Sequence, residues 1–195
     1  MNYSIIILAA GSSTRFGKPK QLLNYKGRKL IQHIISIASE SVANKTIVVL
    51  GAHHELISPQ IEMNEKVHVF INEEWNEGIA SSIRAGLKKL QIINPASDGA
   101  ILSVCDQPFI TTQLLNDLIA EKNQSQKNIV ACEYENTMGI PVLFDKTLFP
   151  DLMELKGDTG AKKIIMQHKS VTATISFPLG NIDIDTSEEY QALMK

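Results

Sequence analysis

Cysteine, proline and glycine are scarce in this chain of 195 residues, at 2, 7 and 11. Two thiols, Cys105 and Cys132, cannot frame a disulfide scaffold or a cysteine-rich zinc site, so a reducing cytoplasm is the expected compartment. So little glycine and proline excludes collagen-like and low-complexity architecture, and a hydrophobic content of 44% excludes disorder. Neither sign of charge dominates: 19 Lys+Arg stand against 21 Asp+Glu, a formal charge of -2. That balance argues against a dedicated nucleic-acid or anionic-membrane binder. No apolar run reaches the ~20 residues that span a bilayer. The run 5–10 has no basic residue before it and breaks at once into Gly11-Ser12-Ser13-Thr14-Arg15, the reverse of a secretory leader. A Walker A loop is absent, because Phe16 stands where its second glycine belongs, and no G-x-G-x-x-G occurs.

One absence is local. No Asp or Glu precedes Glu40, yet Arg15, Lys18, Lys20, Lys26, Arg28 and Lys29 crowd into the same stretch. Surfaces normally mix signs, so an acid-free stretch that begins at a glycine loop points to a polyanion site, with a basic exposed turn as the plainer reading.

Apolar patterning supplies the framework. Residues 4–9, 46–50, 67–71, 100–104 and 129–132 read as strands rich in Ile and Val. The first, second and fourth are apolar on successive residues, as strands covered on both faces are. Helical patterns fill 30–39, 54–60, 79–90 and 112–122, with Pro59 expected to end the second early. This alternation predicts an α/β fold with a mostly parallel central sheet flanked by helices, in a single domain over 1–195. After Cys132 the rhythm changes, through an apolar 142–144, helical stretches around 148–155 and 159–167, a strand at 171–176 and a helix from Ser187. The segment 134–168 is therefore expected to form a small C-terminal lobe over one end of the sheet.

Ligands of open α/β sheets sit beyond the carboxyl ends of the strands, and three features fall there. The loop Ala9-Ala10-Gly11-Ser12, with Arg15 and Lys20 after it, offers backbone N–H groups, a guanidinium fork and a point charge to phosphates. Asp106 follows the strand at 100–104 and suits either Mg²⁺ against phosphates or the cap of a turn. Asp183 and Asp185 share one side of an extended segment, while Thr186 or Ser187 before Glu188-Glu189 also suits a helix start.

The first of these segments resembles the L-A-(A/G)-G-x-x-x-R-x-G-x-x-K motif of the molybdopterin nucleotidyltransferases. It is closer to their cytidylyltransferase branch, whose Ala and Lys-Gln-Leu-Leu reappear as Ala10 and Lys20-Gln21-Leu22-Leu23. Further matches run along the chain: Asn72 to Gly78 with Ser81 to Leu87, Asp106-Gln107-Pro108, Gly157-Asp158-Thr159-Gly160-Ala161 and Asp183-Ile184-Asp185-Thr186. The resemblance implies a Rossmann-like nucleotidyltransferase fold and transfer of CMP from CTP to the phosphate of the molybdenum cofactor, molybdopterin, with release of pyrophosphate. It further implies that Ala9, Ala10, Gly11 and Ser12 contact the nucleotide through their backbones. Arg15 would bind the β- and γ-phosphates and Lys20 the α-phosphate, these two being the catalytic residues. Asp106 and Asp185 would hold Mg²⁺, or Mn²⁺ in its place, with Asp183 the alternative to Asp185. The loop from Asn72 through Gly78 and Ser81 to Ser82 would read the base, Ser82 favouring cytosine where the guanylyl branch has glycine. A molybdenum hydroxylase or its chaperone would receive the product.

One departure concerns the acceptor: Ile140 precedes Pro141, where the cytidylyl branch often has His. An acceptor phosphate is already largely ionised at neutral pH, its second pKa being about 6, so the reaction needs no general base. The same chemistry with GTP or with another phosphorylated acceptor, and a non-catalytic nucleotide-binding chaperone, are the alternatives.

Overall fold

The computed structural model describes residues 1–194. Its centre is strand β1 (Tyr3–Ala9), in which every residue is buried. Tyr3, Ile5, Ile7 and Ala9 enter one half of the core, Ile6 and Leu8 the other. Such a strand is stable only with helices on both faces, each fully buried Ile contributing roughly 2 kcal/mol relative to exposure. A short hairpin of β2 (Asn24–Tyr25) and β3 (Arg28–Lys29) leads into α1 (Leu30–Ser39), followed by β4 (Lys45–Leu50) and α2 (His54–Ile57). Pro59 lies in a short 3₁₀ turn after α2, as its missing N–H dictates. Then come β5 (Val67–Ile71), α3 (Ile79–Ile93), β6 (Gly99–Val104) and α4 (Thr112–Ser125). The chain closes with β7 (Ile129–Tyr134), β8 (Thr137–Asp145), α5 (Phe149–Met153), α6 (Lys162–Gln167), β9 (Thr172–Ser176) and α7 (Ser187–Leu193).

Seven strands form one sheet in the order β5-β4-β1-β6-β8-β7-β9. The pairs β4–β5, β1–β4, β1–β6 and β7–β9 are parallel, and β8 runs antiparallel to both β6 and β7. Apolar side chains of α1 and α4 cover one face, those of α3, α5 and α6 the other. The α/β reading with a mostly parallel, helix-flanked sheet thus describes the molecule.

The expected lobe at 134–168 does not form. Its apolar stretch is part of β8, an interior strand, with Val142 and Phe144 in one half of the core and Leu143 in the other. Three successive apolar side chains need cover on both faces, which a lobe at the sheet's end cannot give them. The chain reverses into β8 through Glu135 and Asn136, at φ 48° and 60°, the two left-handed positions of a type I′ hairpin.

Candidate active site

The carboxyl ends of β1 and β6 and the loop after β5 open into a cleft of about 450 Å³. Its near wall is the loop after β1. Ala10 O accepts from Ala52 N at 3.0 Å, and beneath the loop the buried Gln21 side chain donates to Ala9 O (2.9 Å) and Gly11 O (3.1 Å). Gly11 faces open space, so a ligand can meet its backbone without a side chain intervening. Ser13 at φ 55° and Gly17 at φ 77° turn the chain back, and Ser13 Oγ accepts from Lys20 N, aiming that lysine into the cleft.

Four charged side chains from three segments meet there. Lys20 Nζ donates to Asp106 Oδ2 at 2.8 Å and Asp185 Oδ1 at 2.6 Å, and Arg15 Nη2 lies 2.7 Å from Asp185 Oδ2. Burial opposes the Lys20 charge, but Asp106 and Asp185 outweigh it and raise its pKa. The hydrogen bond from Lys20 chiefly holds Asp185 below the usual carboxylate range. Asp183, though open to solvent as a residue, is pushed up to about 6 by protein crowding its carboxyl and by the like charges of Asp106 and Asp185. The C-terminal segment is set beside β6 by Ile184 N donating to Asp106 O (2.9 Å), with the Ile184 side chain in the core. Both plain readings of these motifs resolve. Asp106 caps nothing, since Thr111 caps α4, whereas Thr186 does begin α7 in a capping box with Glu189. Glu189 also accepts from Asp185 N, tying that cap to the site.

Of the six early cations, Arg15 and Lys20 reach the cleft. Lys18 and Lys26 lie over the rings of Phe16 and Tyr25, Arg28 donates to Ser36 and Lys29 to Asn24. Much of the acid-free stretch is thus a basic surface, as its plainer reading held.

The far wall is the loop after β5. Ala9, Ala10, Gly11, Ser12, Arg15, Lys20, Gly78, Ser82, Asp106 and Asp185 all line the cleft. Asn72 and Ser81 are buried behind it: Asn72 Nδ2 donates to Ser81 Oγ (2.8 Å) and Ser82 Oγ (3.1 Å), and Ser81 donates to Gly78 O. Trp75 also lines the cleft and is no core residue, while Ile140 lies in β8 against the α3 side of the core. Three contributors escape a reading of spacing alone. Gly51 lets Trp75 close on the β1 loop, since a Cβ there would lie 2.5 Å from Trp75 Cβ and 2.9 Å from Ala10 Cβ. Gly78, at φ 121°, packs against Gly157 and the Asp158 carboxylate. Arg84 grips both oxygens of Glu77 and the Leu155 carbonyl, so Gly157 and Asp158 are bound to the same wall. The Cys105 thiol is buried, which raises its pKa far out of nucleophilic reach.

The profile of the MobA-like NTP transferase domain matches residues 5–171. The chain belongs to this family. Asp183 and Asp185 lie beyond the matched residues, within the span that full-length relatives cover. The purine catabolism protein PucB of Bacillus subtilis is 26% identical, over 97% of this chain and 95% of its own. Nicotine blue oxidoreductase of Paenarthrobacter nicotinovorans is 25% identical, over the same shares. Rv0371c of Mycobacterium tuberculosis superposes with a TM-score of 0.83 at 26% identity, covering 99% of this chain and 97% of its own. Its complex with manganese gives 0.79 at 25% identity, covering 99% and 98%. The MobA-like chain therefore has a Rossmann-like nucleotidyltransferase fold. No helix among the described residues is long and apolar enough to cross a membrane, and none of their His, Cys, Asp and Glu side chains gather in threes around a metal position.

Proposed function

We infer that this MobA-like protein transfers CMP from CTP to the phosphate of the molybdenum cofactor and releases pyrophosphate. The observation that carries the reading is the convergence of Asp106 and Asp185 on one ammonium, Lys20 Nζ. Two carboxylates spaced to share one cation, beside a loop open to phosphates, fit a divalent ion that completes its shell with phosphate oxygens. Asp106 and Asp185 would hold Mg²⁺, which when bound neutralises charge on the triphosphate. Rv0371c has been crystallised in complex with manganese, which supports a divalent ion for this chain as well.

The remaining work belongs to the chain. An oxygen of the acceptor phosphate attacks the α-phosphorus; a new P–O bond forms, and the bond to the β-phosphate breaks, its electron pair leaving with pyrophosphate. The nucleophile is already an anion, so the protein must position two polyanions and offset their repulsion. Lys20, once it leaves its two carboxylates, stabilises the charge that builds on the α-phosphate. Arg15, three-quarters exposed at the mouth of the cleft, suits the β- and γ-phosphates, whose bidentate recognition a guanidinium favours. The small loop 9–12 leaves room for the nucleotide, and Ser82, which lines the same cleft, would meet a pyrimidine edge.

The test is pyrophosphate release by the purified chain with Mg²⁺ and molybdenum cofactor, with CTP, GTP, ATP and UTP supplied separately. Release with CTP alone is expected. Release with GTP would keep the chemistry and overturn the assignment of the base, and silence with all four would reject the molybdenum cofactor as acceptor.

A further inference from the structure

The Asp158 carboxylate stands in the cleft without the cation that its neighbours have. Lys20 and Arg15 offset Asp106 and Asp185, whereas among the described residues no ion pair or side-chain hydrogen bond involves Asp158. Asp158 is exposed and solvated in the free protein, but its charge repels a triphosphate bound in the same cleft unless some part of the ligand donates to it. On a nucleotide the donors are the ribose hydroxyls and, in cytosine, the exocyclic amino group, and of these the amino group distinguishes CTP from UTP.

Its position is built. Asp158 Oδ1 lies directly over the Cα of Gly78, where any side chain would displace it. Gly157 O accepts from Ala80 N (3.1 Å), and Gly157 N donates to Glu77 Oε1 (3.1 Å). Arg84, its side chain 16% exposed, clamps that Glu77 and donates to Leu155 O at 2.7 Å. The backbone that carries Asp158 is thereby held against a wall made by residues 77–82.

Ser82 supplies the complement. Its Oγ accepts from Asn72 Nδ2, which leaves the hydroxyl hydrogen to donate. The wall thus offers one acceptor and one donor. The cytosine edge offers an amino donor beside a ring-nitrogen acceptor, and uracil presents the reverse order.

We propose that Asp158 is the specificity-determining residue of this cleft, accepting a hydrogen bond from the exocyclic amino group of the base, with Glu77 and Arg84 as the residues that position it. Adenine shows the same order of groups as cytosine, so its exclusion falls to the width of the cleft beside Ser82. The inference rests on the cytidylyl reading of the site.

Calorimetric titration of the intact chain with CTP and with UTP, in Mg²⁺ and without acceptor, tests it. The chain should bind CTP at least about tenfold more tightly than UTP, the selectivity that one hydrogen bond to a charged group confers. Asp158→Asn should bring the two affinities within about threefold by weakening CTP and strengthening UTP, because an amide can donate to uracil. Arg84→Lys, which keeps the charge and loses the fork, should lower the ratio in the same direction. A ratio unchanged in Asp158→Asn, or equal weakening of both nucleotides, overturns the proposal while leaving the cytidylyl reading intact. No binding of either nucleotide overturns both. A lower melting temperature with an unchanged ratio in Arg84→Lys removes the positioning role.

Discussion

At the amino ends of β1 and β6 the polar groups close on one another, whereas at the carboxyl ends they are left for something else. Asn2 exchanges hydrogen bonds with Asn94 and donates to Asp98, Ser97 and Ser4 join the same network, and Lys146 pairs with Asp98. Nearby, the buried Lys122 meets Asp145 at 2.9 Å. A cavity of about 470 Å³ lies beside them, but these bonds fasten strand ends together and leave its Asn94, Ser97 and Lys146 already paired. At the opposite end, two cations share two carboxylates, Asp158 has no side-chain partner among the described residues, and Gly11 faces open space. A rim whose charges are paired across segments, and can be re-paired by a polyanion and its metal, is organised for binding. The closed rim is organised for stability.

The comparison breaks most visibly at Lys20. In Lys20→Ala, steady-state kinetics should show kcat lower by about 10²- to 10³-fold, as for loss of one donor to developing charge. The affinity for CTP should change far less, since the contact strengthens in the transition state. A raised KM at unchanged kcat would reject that role.

Two glycines sharpen the contrast within the open rim. Gly78→Ala places a Cβ at φ 121° and 2.5 Å from Gly157 O, and should cost about 1–3 kcal/mol of unfolding free energy in denaturant titration. Gly11→Ala meets only open space and should stay within about 0.5 kcal/mol of the parent. Its CTP affinity should fall severalfold, because the added methyl occupies room kept for the nucleotide.

The closed rim should respond in the opposite sense. Lys122→Met leaves Asp145 without its cation and should lower stability by about 1–3 kcal/mol while CTP affinity is unchanged. The smallest effect concerns pH. The backbone N–H of Asn2 chiefly holds Asp98 below its ordinary pKa, and Thr147 and Lys122 outweigh burial to do the same for Asp145. Both folded values lie below the unfolded ones, so the stability they contribute is whole above about pH 4 and is lost as the pH falls through the depressed values. Acid melting curves of Asp98→Asn should be flatter across that window than those of the parent.

The sequence disclosed the two rims unequally. Runs such as Ile5-Ile6-Ile7 announce buried strands because burial on both faces demands apolar residues in succession, and β1, β4 and β6 follow from that. The same rule applies to Val142-Leu143-Phe144, but its hairpin turn is Glu135-Asn136, which lacks the glycine that usually signals a type I′ turn, so the strand passes for part of a lobe. Arg15, Lys20, Asp106 and Asp185 stand out because charge directly after a strand is conspicuous. Gln21, Gly51, Glu77 and Arg84 do not, since each acts through a partner distant in sequence. Arg84 reaching Leu155 and Gly51 admitting Trp75 are tertiary facts that no local pattern encodes.

The central claim is that the paired charges of the open rim serve a metal-bound nucleotide. Its most direct test is calorimetric titration of CTP with and without Mg²⁺, on the parent chain and on Asp106→Asn. Mg²⁺ should strengthen binding about tenfold or more in the parent, and the metal effect should be largely abolished in the variant. Binding by the parent that is indifferent to metal would contradict it.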